Sequence, residues 1–186
     1  MKRIVLTGGH GVGKSSLLLA LEERGEHVVF EAAGHVRQLA RARKIAFPED
    51  QSDFESRVVA RHLSREDGVP AHVRRVFFDR GAPDHLAYAK VGPWSLSPAE
   101  IAACEARIYD LVVLVAPPPQ GVATLDRVET RFCQRLVTEL NRIYVALGVP
   151  VHRLEWDDVD RRVDAILNLV SDTLGDDGHR PRDHDL

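Results

Sequence analysis

The sequence predicts an α/β fold with a parallel sheet between two layers of helices. Short apolar runs alternate with longer segments of helical period, which is typical of successive βα units. The runs are almost wholly apolar, as expected for strands that are covered on both faces. A glycine-rich loop separates the first run from the first helical segment. We therefore expect a doubly wound sheet with that loop at one edge.

Five apolar runs predict the strands: residues 4–6, 28–30, 76–78, 111–115 and 149–154. A first helix presents Leu17, Leu18 and Leu21 on one side and ends near Gly25. The last two helices are each marked by apolar residues at helical spacing. Those of the longer helix are Leu125, Phe132, Leu136, Leu140, Ile143 and Leu147, and those of the last helix are Val159, Val163, Ile166, Leu167, Val170 and Leu174.

A further helix is predicted from its first turn. Ser97 and Glu100 have the spacing of a capping box, and Pro98 occupies the first helical position. Ile101, Cys104 and Ile108 are expected to form the apolar face of this helix. Cys104 is therefore interpreted as a core residue.

Composition limits the possible functions. The 186 residues are 44% hydrophobic and 28% charged, which suits one domain with a sizeable core. The net charge of −3 creates no global positive field, so we expect neither a nucleic-acid nor a membrane partner. The two cysteines lack metal-ligand spacing, and no long apolar stretch follows Met1. These features predict a cytoplasmic protein.

We expect a domain over residues 1–174 and a disordered acidic tail over residues 175–186, where apolar residues are nearly absent.

The glycine-rich loop carries the strongest functional pattern. It fits G-x-x-x-x-G-K-[ST] (the Walker A pattern) between a strand and a helix, which is where such a loop holds nucleotide phosphates. Lys14 is expected to reach the β- and γ-phosphates of ATP, and Ser15 is expected to ligate Mg²⁺. The predicted nucleotide-binding residues are Gly8, Gly9, His10, Gly11, Val12, Gly13, Lys14, Ser15 and Ser16.

The third strand ends in a second candidate site. Asp79 follows an apolar run, where a carboxylate would complete a Mg²⁺ site beside the loop. Arg80 is a candidate clamp for a substrate or phosphoryl oxygen. The alternative is a polar strand end, with Asp79 capping the next turn and Arg80 exposed.

The phosphate loop and the run of residues 77–88 together resemble small AAA-labelled ATP-binding proteins, which are similar to nicotinamide riboside kinases and more distantly to thymidylate kinases. The resemblance covers roughly residues 1–172. It implies a P-loop NTPase fold of kinase type with strand order 2-3-1-4-5 and ATP as donor. It also implies that Asp79 and Arg80 face Mg²⁺ and the acceptor. Such proteins often carry an arginine soon after the second strand; here Ala32, Ala33 and Gly34 stand there, and the nearest arginine is Arg37.

The sequence offers more than one candidate for the general base and for the lid arginine. Glu31 follows the second strand, where it could accept a hydroxyl proton or cap a helix. Asp79 is the rival base, and Asp84 is a third candidate. Arg127 and Arg131 lie on one stripe of the long helix with Arg135, and either of the first two could be the lid arginine. The alternative is a solvated face, with Glu139 as the partner of Arg135. Trp94 could stack on an acceptor ring or be anchored to the core.

Two functions fit these residues. The first is a Mg²⁺-dependent kinase that transfers the γ-phosphoryl group of ATP to a small metabolite, with a nucleoside-like acceptor favoured. The alternative is an ATP-dependent switch or ATPase that acts through a protein partner. No N-K-x-D run is present, which argues against a GTPase switch.

Overall fold

Five parallel strands form one sheet in the order β2-β3-β1-β4-β5. The computed structural model describes residues 1–44, 51–119 and 127–175. The strands are β1 Lys2–Thr7, β2 His27–Val29, β3 Arg75–Asp79, β4 Leu111–Val115 and β5 Val151–Leu154. The helices are α1 Lys14–Glu23, α2 Ala32–Ala42, α3 Gln51–Asp67, α4 Asp84–Val91, α5 Pro98–Glu105, α6 Arg127–Ala146 and α7 Val159–Leu174. This is the α/β fold and the strand order that the sequence and its resemblance predict.

Each face of the sheet has its own hydrophobic core, because successive side chains of a strand point to opposite faces. On β1, Ile4 and Leu6 pack with α1 and α7, whereas Val5 packs on the other face with α4 and α6. All three side chains are fully buried. The central strands are thus covered on both sides, which explains why their sequences are almost wholly apolar.

The helix signals in the sequence are largely confirmed. Leu17, Leu18 and Leu21 are buried on α1, and Gly25 follows this helix in the left-handed region with φ of +84°. The backbone of Ser97 donates to Glu100, and the hydroxyl of Ser97 accepts from the backbone of Glu100, which completes the capping box.

One apolar face was predicted wrongly. Cys104 is buried, but Ile101 is exposed, and Ile108 is 78% exposed because α5 ends at Glu105 and the chain turns toward β4. Leu147 likewise follows the end of α6 and is partly exposed. Leu125 and residues 176–186, which carry the predicted helix start and most of the predicted tail, lie outside the described residues. Within the described ranges, no helix has the length and apolarity to cross a membrane.

Candidate active site

The phosphate loop connects β1 to α1, as its sequence predicts. Gly8, Gly11 and Gly13 all have positive φ, which glycine adopts at little cost. A Cβ at Gly8 would lie 2.7 Å from the carbonyl oxygen of Val115, so the loop must pass close to β4 at this point. The loop therefore has its shape because glycine occupies these positions.

The far end of the chain supports the same loop. Arg162 on α7 is buried, and its Nη1 donates to the carbonyl oxygen of Val12 at 3.2 Å. A Cβ at Gly13 would lie 3.1 Å from Nη2 of Arg162. The guanidinium also lies over the ring of Trp156, with 4.5 Å between Cζ and the ring centroid. Arg162 thus links α7 to the phosphate loop.

Lys14 is folded against its own loop. Its Nζ donates to the carbonyl oxygen of Gly9 at 2.6 Å and to that of Gly8 at 3.3 Å. Burial lowers the pKa of Lys14 to about 8, and the positive charge of Arg80 acts in the same direction. The ammonium group is therefore held beside the loop in a setting that disfavours its charge.

The phosphate loop borders a cleft of about 360 Å³, here called the phosphate cleft. It is lined by His10, Gly11, Val12, Gly13, Lys14, Ser15, Ser16, Glu31, Asp79 and Arg80. All ten predicted site residues other than Gly8, Gly9 and the two lid arginines thus line one cavity. Gly8 and Gly9 contribute carbonyl oxygens that bind Lys14.

Ser15 and Asp79 fit a Mg²⁺ ion by the chemistry of their oxygen donors. Ser15 lies in the first turn of α1, and Asp79 is the last residue of β3; both line the phosphate cleft. Burial raises the pKa of Asp79, and the nearby carboxylate of Glu31 adds to this increase. A cation at this carboxylate would favour its ionised form. Among the described residues, no group of three or more His, Cys, Asp or Glu side chains could hold a metal by itself.

Arg80 is buried, and its backbone is in the left-handed region with φ of +72°. Its Nη1 donates to the carbonyl oxygen of Gly8 at 3.2 Å and lies 3.5 Å from Oδ2 of Asp84. Burial alone would lower the pKa of Arg80, but the surrounding acids raise it. Nε is fully buried, and no described group accepts a hydrogen bond from it. The interpretation of Arg80 as an exposed residue at a strand end is therefore wrong.

Glu31 precedes α2, but its side chain does not cap this helix. Its Oε1 lies 3.5 Å from Nε of Arg80, and 45% of the side chain is exposed. The cap interpretation of Glu31 is thus not supported, and the carboxylate remains accessible within the phosphate cleft.

A second cleft of about 340 Å³, here called the acceptor cleft, adjoins the first. It is lined by His10, Glu31, Ala33, Arg37, Phe54, Glu55, Val58, Arg80, Asp84, His85, Tyr88 and Trp94. Three residues line both clefts: His10, Glu31 and Arg80. The two cavities therefore meet at the Arg80–Glu31 pair.

Aromatic rings form much of the wall of the acceptor cleft. Tyr88 and Trp94 meet edge to face with 5.6 Å between ring centroids, and both pack against Phe132 of α6. Nε2 of His10 lies 2.9 Å from the hydroxyl of Tyr88. Trp94 is thus anchored in an aromatic cluster and also borders the cleft, so its two interpretations are compatible.

Asp84 is a third carboxylate at this edge of the sheet. It is 1% exposed, and its oxygens accept from the hydroxyls of Thr7 and Tyr144, the latter at 2.6 Å. Because these donors occupy it, Asp84 is a structural anchor that ties β1 and α6 to α4.

Of the two candidate lid arginines, only Arg131 has a side chain within the described residues. Arg127 begins α6, but its side chain lies outside the described residues. Arg131 and Arg135 are exposed on α6, and neither is among the residues that line the two clefts. Glu139, a possible partner of Arg135, accepts from Arg142 at 2.7 Å. The lid role of Arg127 or Arg131 stays a prediction.

Several residues of the acceptor cleft were missed by the sequence analysis. Arg37 lies over the ring of Phe54, with 4.9 Å between Cζ and the centroid, so an arginine one turn later than expected still reaches the cleft. Glu55 is next to Phe54, and burial raises the pKa of its carboxyl group. The helical spacing of α3 contains these residues, but nothing local in the sequence indicates that this helix turns them toward β3.

A family model described as an AAA domain, AAA_28, matches residues 3–162. The chain belongs to this family. A comparison with curated protein sequences gave no significant match.

The AAA domain chain also shares its fold with solved kinase structures. NadR protein in complex with NR superposes with a TM-score of 0.70 at 21% identity; the alignment covers 94% of this chain and 51% of NadR, so the chain spans about half the length of that protein. Thymidylate kinase from Ehrlichia chaffeensis gives a TM-score of 0.66 at 16% identity, covering 91% and 98% of the two chains. Deoxyadenosine kinase from M. mycoides gives 0.61 at 14% identity, with coverage of 92% and 100%. The chain has a P-loop fold of the kinase type.

Proposed function

We propose that this AAA domain protein is an ATP-dependent kinase that phosphorylates a small, nucleoside-like acceptor. The observation that carries the proposal is the meeting of two clefts at the Arg80–Glu31 pair. A switch that acts only through a partner surface needs no second cleft beside its phosphate site. The similar solved structures add support, since NadR was solved with NR and deoxyadenosine kinase with the products dCMP and dCDP.

In the proposed complex, ATP places its phosphates in the phosphate cleft. The backbone N–H groups of the loop and the positive end of α1 face the phosphates, and Lys14 exchanges its carbonyl contacts for phosphate oxygens. Ser15 and Asp79 would hold Mg²⁺, which would supply positive charge to neutralise the nucleotide phosphates. Arg80 can stabilise the transferred group because it lines both clefts and carries a positive charge.

The acceptor hydroxyl receives the phosphoryl group. Its oxygen forms a bond to the γ-phosphorus, the bond from this phosphorus to the bridging oxygen breaks, and ADP leaves. We assign the hydroxyl proton to Glu31, because its carboxylate lines both clefts and is partly exposed. Asp79 lines only the phosphate cleft, which suits the metal role better. Arg127 or Arg131 would act from α6 as the lid arginine.

The expected partners and location of the protein follow from its charge and composition. A small molecule is the expected acceptor, without nucleic-acid or membrane partners, because the net charge of −3 gives no broad attraction to polyanions. The chain is expected to act in the cytoplasm.

The test is a measurement of ADP release with Mg²⁺ATP and a panel of nucleosides, nucleotides and vitamins that includes nicotinamide riboside. One acceptor should stimulate release, and phosphorylated product should match ADP in amount. The K14A variant should lose this activity, whereas the matched control K90A, at an exposed lysine of α4, should retain it. Acceptor-independent hydrolysis across the whole panel would contradict the kinase and favour the regulatory ATPase.

A further inference from the structure

A buried chain of hydrogen bonds runs from the acceptor cleft into the protein. Nε2 of His85 lies 3.0 Å from Nδ1 of His62, and Nε2 of His62 lies 3.0 Å from Oε1 of Glu66. His85 lies in the first turn of α4, whereas His62 and Glu66 are one turn apart on α3. All three side chains are buried, and the ring of His85 borders the cleft.

The inner end of this chain is an anchored carboxylate. The hydroxyl of Tyr109 accepts from the backbone N–H of Ala82 at 2.7 Å and donates its own proton to Oε1 of Glu66 at 2.6 Å. Arg3 forms an ion pair with Oε2 of Glu66. Burial would raise the pKa of Glu66, but the bonds from His62 and Tyr109 and the charge of Arg3 lower it. Glu66 is therefore an ionised acceptor with no proton to give.

The carboxylate sets the proton positions on both rings, because a neutral imidazole has one donor and one acceptor nitrogen. Glu66 accepts, so Nε2 of His62 carries a proton. We infer that the His62 ring is neutral, which makes its Nδ1 an acceptor. Nε2 of His85 must then donate to that nitrogen. Nδ1 of His85 is left without a proton, and it is the ring nitrogen that His62 does not contact.

The surroundings of His85 keep this ring neutral. Burial lowers the pKa of His85 to about 3, and the positive charge of Arg80 acts in the same direction. An imidazole held in this state is a weak base but a good hydrogen-bond acceptor. The cleft wall beside it is aromatic and includes Tyr88 and Trp94.

We propose that His85 is a specificity-determining residue that presents a bare Nδ1 to the acceptor cleft and selects a planar aromatic group bearing an N–H or O–H donor. This inference rests on the proposed function, since it treats the cleft as the acceptor site. An acceptor without such a donor would leave Nδ1 buried and unpaired, which is unfavourable. Glu66 and His62 are positioning residues, because they act through His85.

The proton positions can be tested without any ligand. In the ¹⁵N NMR spectrum of the histidine side chains at pH 7, His62 and His85 should both show a protonated Nε2 and an unprotonated Nδ1. The H62F and H85F variants assign the signals, and H152Q, at an exposed histidine, is the control that should leave both rings unchanged. A proton on Nδ1 of His85, or a charged His85 ring, would overturn the proposal.

Two substitutions separate hydrogen bonding from packing. H85N keeps an acceptor oxygen near the position of Nδ1, whereas H85F keeps the ring volume and removes the acceptor. For an acceptor identified by the panel above, H85F should raise KM about tenfold with KM for ATP unchanged. H85N should raise it less. If KM for the acceptor is lower in H85F than in H85N, or if both variants change KM for ATP equally, His85 has only a packing role and the proposal fails. A panel without any acceptor would refute the kinase, while the NMR spectrum would still decide the state of His85.

Discussion

Nε of Arg80 lies 3.5 Å from Oε1 of Glu31, and this pair forms the wall at which the phosphate and acceptor clefts meet. The two residues come from different strand ends. Arg80 follows β3, and Glu31 follows β2, the neighbouring strand in the sheet. Because the strands are parallel, their carboxyl ends lie at the same edge, where ligands of such sheets bind.

Replacing Glu31 by Gln removes the proposed base while keeping its size. We expect kcat to fall roughly 100-fold or more, because general bases contribute on this scale. KM for ATP should change little. The comparison variant is D79N, which should instead raise KM for Mg²⁺ATP. If D79N alone lost proton transfer and E31Q kept kcat, the two roles would have to be exchanged.

The left-handed backbone of Arg80 gives a prediction about stability. R80G and R80A both remove the buried guanidinium, but glycine adopts a φ of +72° without the strain of a Cβ. The free energy of unfolding of R80G should therefore exceed that of R80A by about 1 kcal/mol. Urea unfolding of both variants measures this difference. Equal stabilities would mean that the backbone at residue 80 is not held in this conformation.

The lowered pKa of Lys14 predicts a pH dependence of nucleotide affinity. Below about pH 8, Lys14 is charged in the free protein; above it, a growing fraction is neutral and must take up a proton to bind phosphate. The Kd for ATP should thus rise above about pH 8, by at most roughly tenfold per pH unit. Calorimetry in buffers of different ionisation enthalpy measures the proton uptake. K14R is the control variant: it should bind ATP more weakly, and its Kd should show no such rise above pH 8, since arginine stays charged.

Two glycines should respond oppositely to alanine. A Cβ at Gly81 would clash with the hydroxyl of the buried Tyr144 and lie 3.0 Å from a methyl group of Val5, so G81A should lose about 2 kcal/mol of stability. Gly34 lies within α2, and a Cβ there would lie within 4 Å of no atom in the described part of the chain. G34A should therefore gain about 0.5–1 kcal/mol. Thermal or urea unfolding tests the pair, and a destabilised G34A would show that α2 has neighbours beyond those described.

The sequence predicts the parts of the site that are local. The phosphate loop is one continuous segment whose glycines, lysine and serine act together, and Asp79 and Arg80 directly follow an apolar strand. Their meeting in one cleft follows from the parallel sheet alone.

The acceptor cleft is different because it depends on tertiary packing. His62 and His85 are 23 residues apart on separate helices, and only the packing of α3 beside α4 brings their nitrogens to 3.0 Å. Ile108 was misassigned for a related reason: helical spacing continues past Glu105, but the helix does not. Periodicity indicates which residues share a face, but it contains no information on where the chain leaves the helix.

The contact between Arg162 and the phosphate loop also has a consequence for the order of events in folding. The loop is near the start of the chain, yet the guanidinium that binds the carbonyl oxygen of Val12 comes from a residue 150 positions later. During synthesis, the loop lacks the hydrogen bond from Arg162 until α7 has been made and has packed against it. A nascent chain that ends before Arg162 would therefore bind nucleotide poorly, and affinity for ATP would report that the last helix has docked.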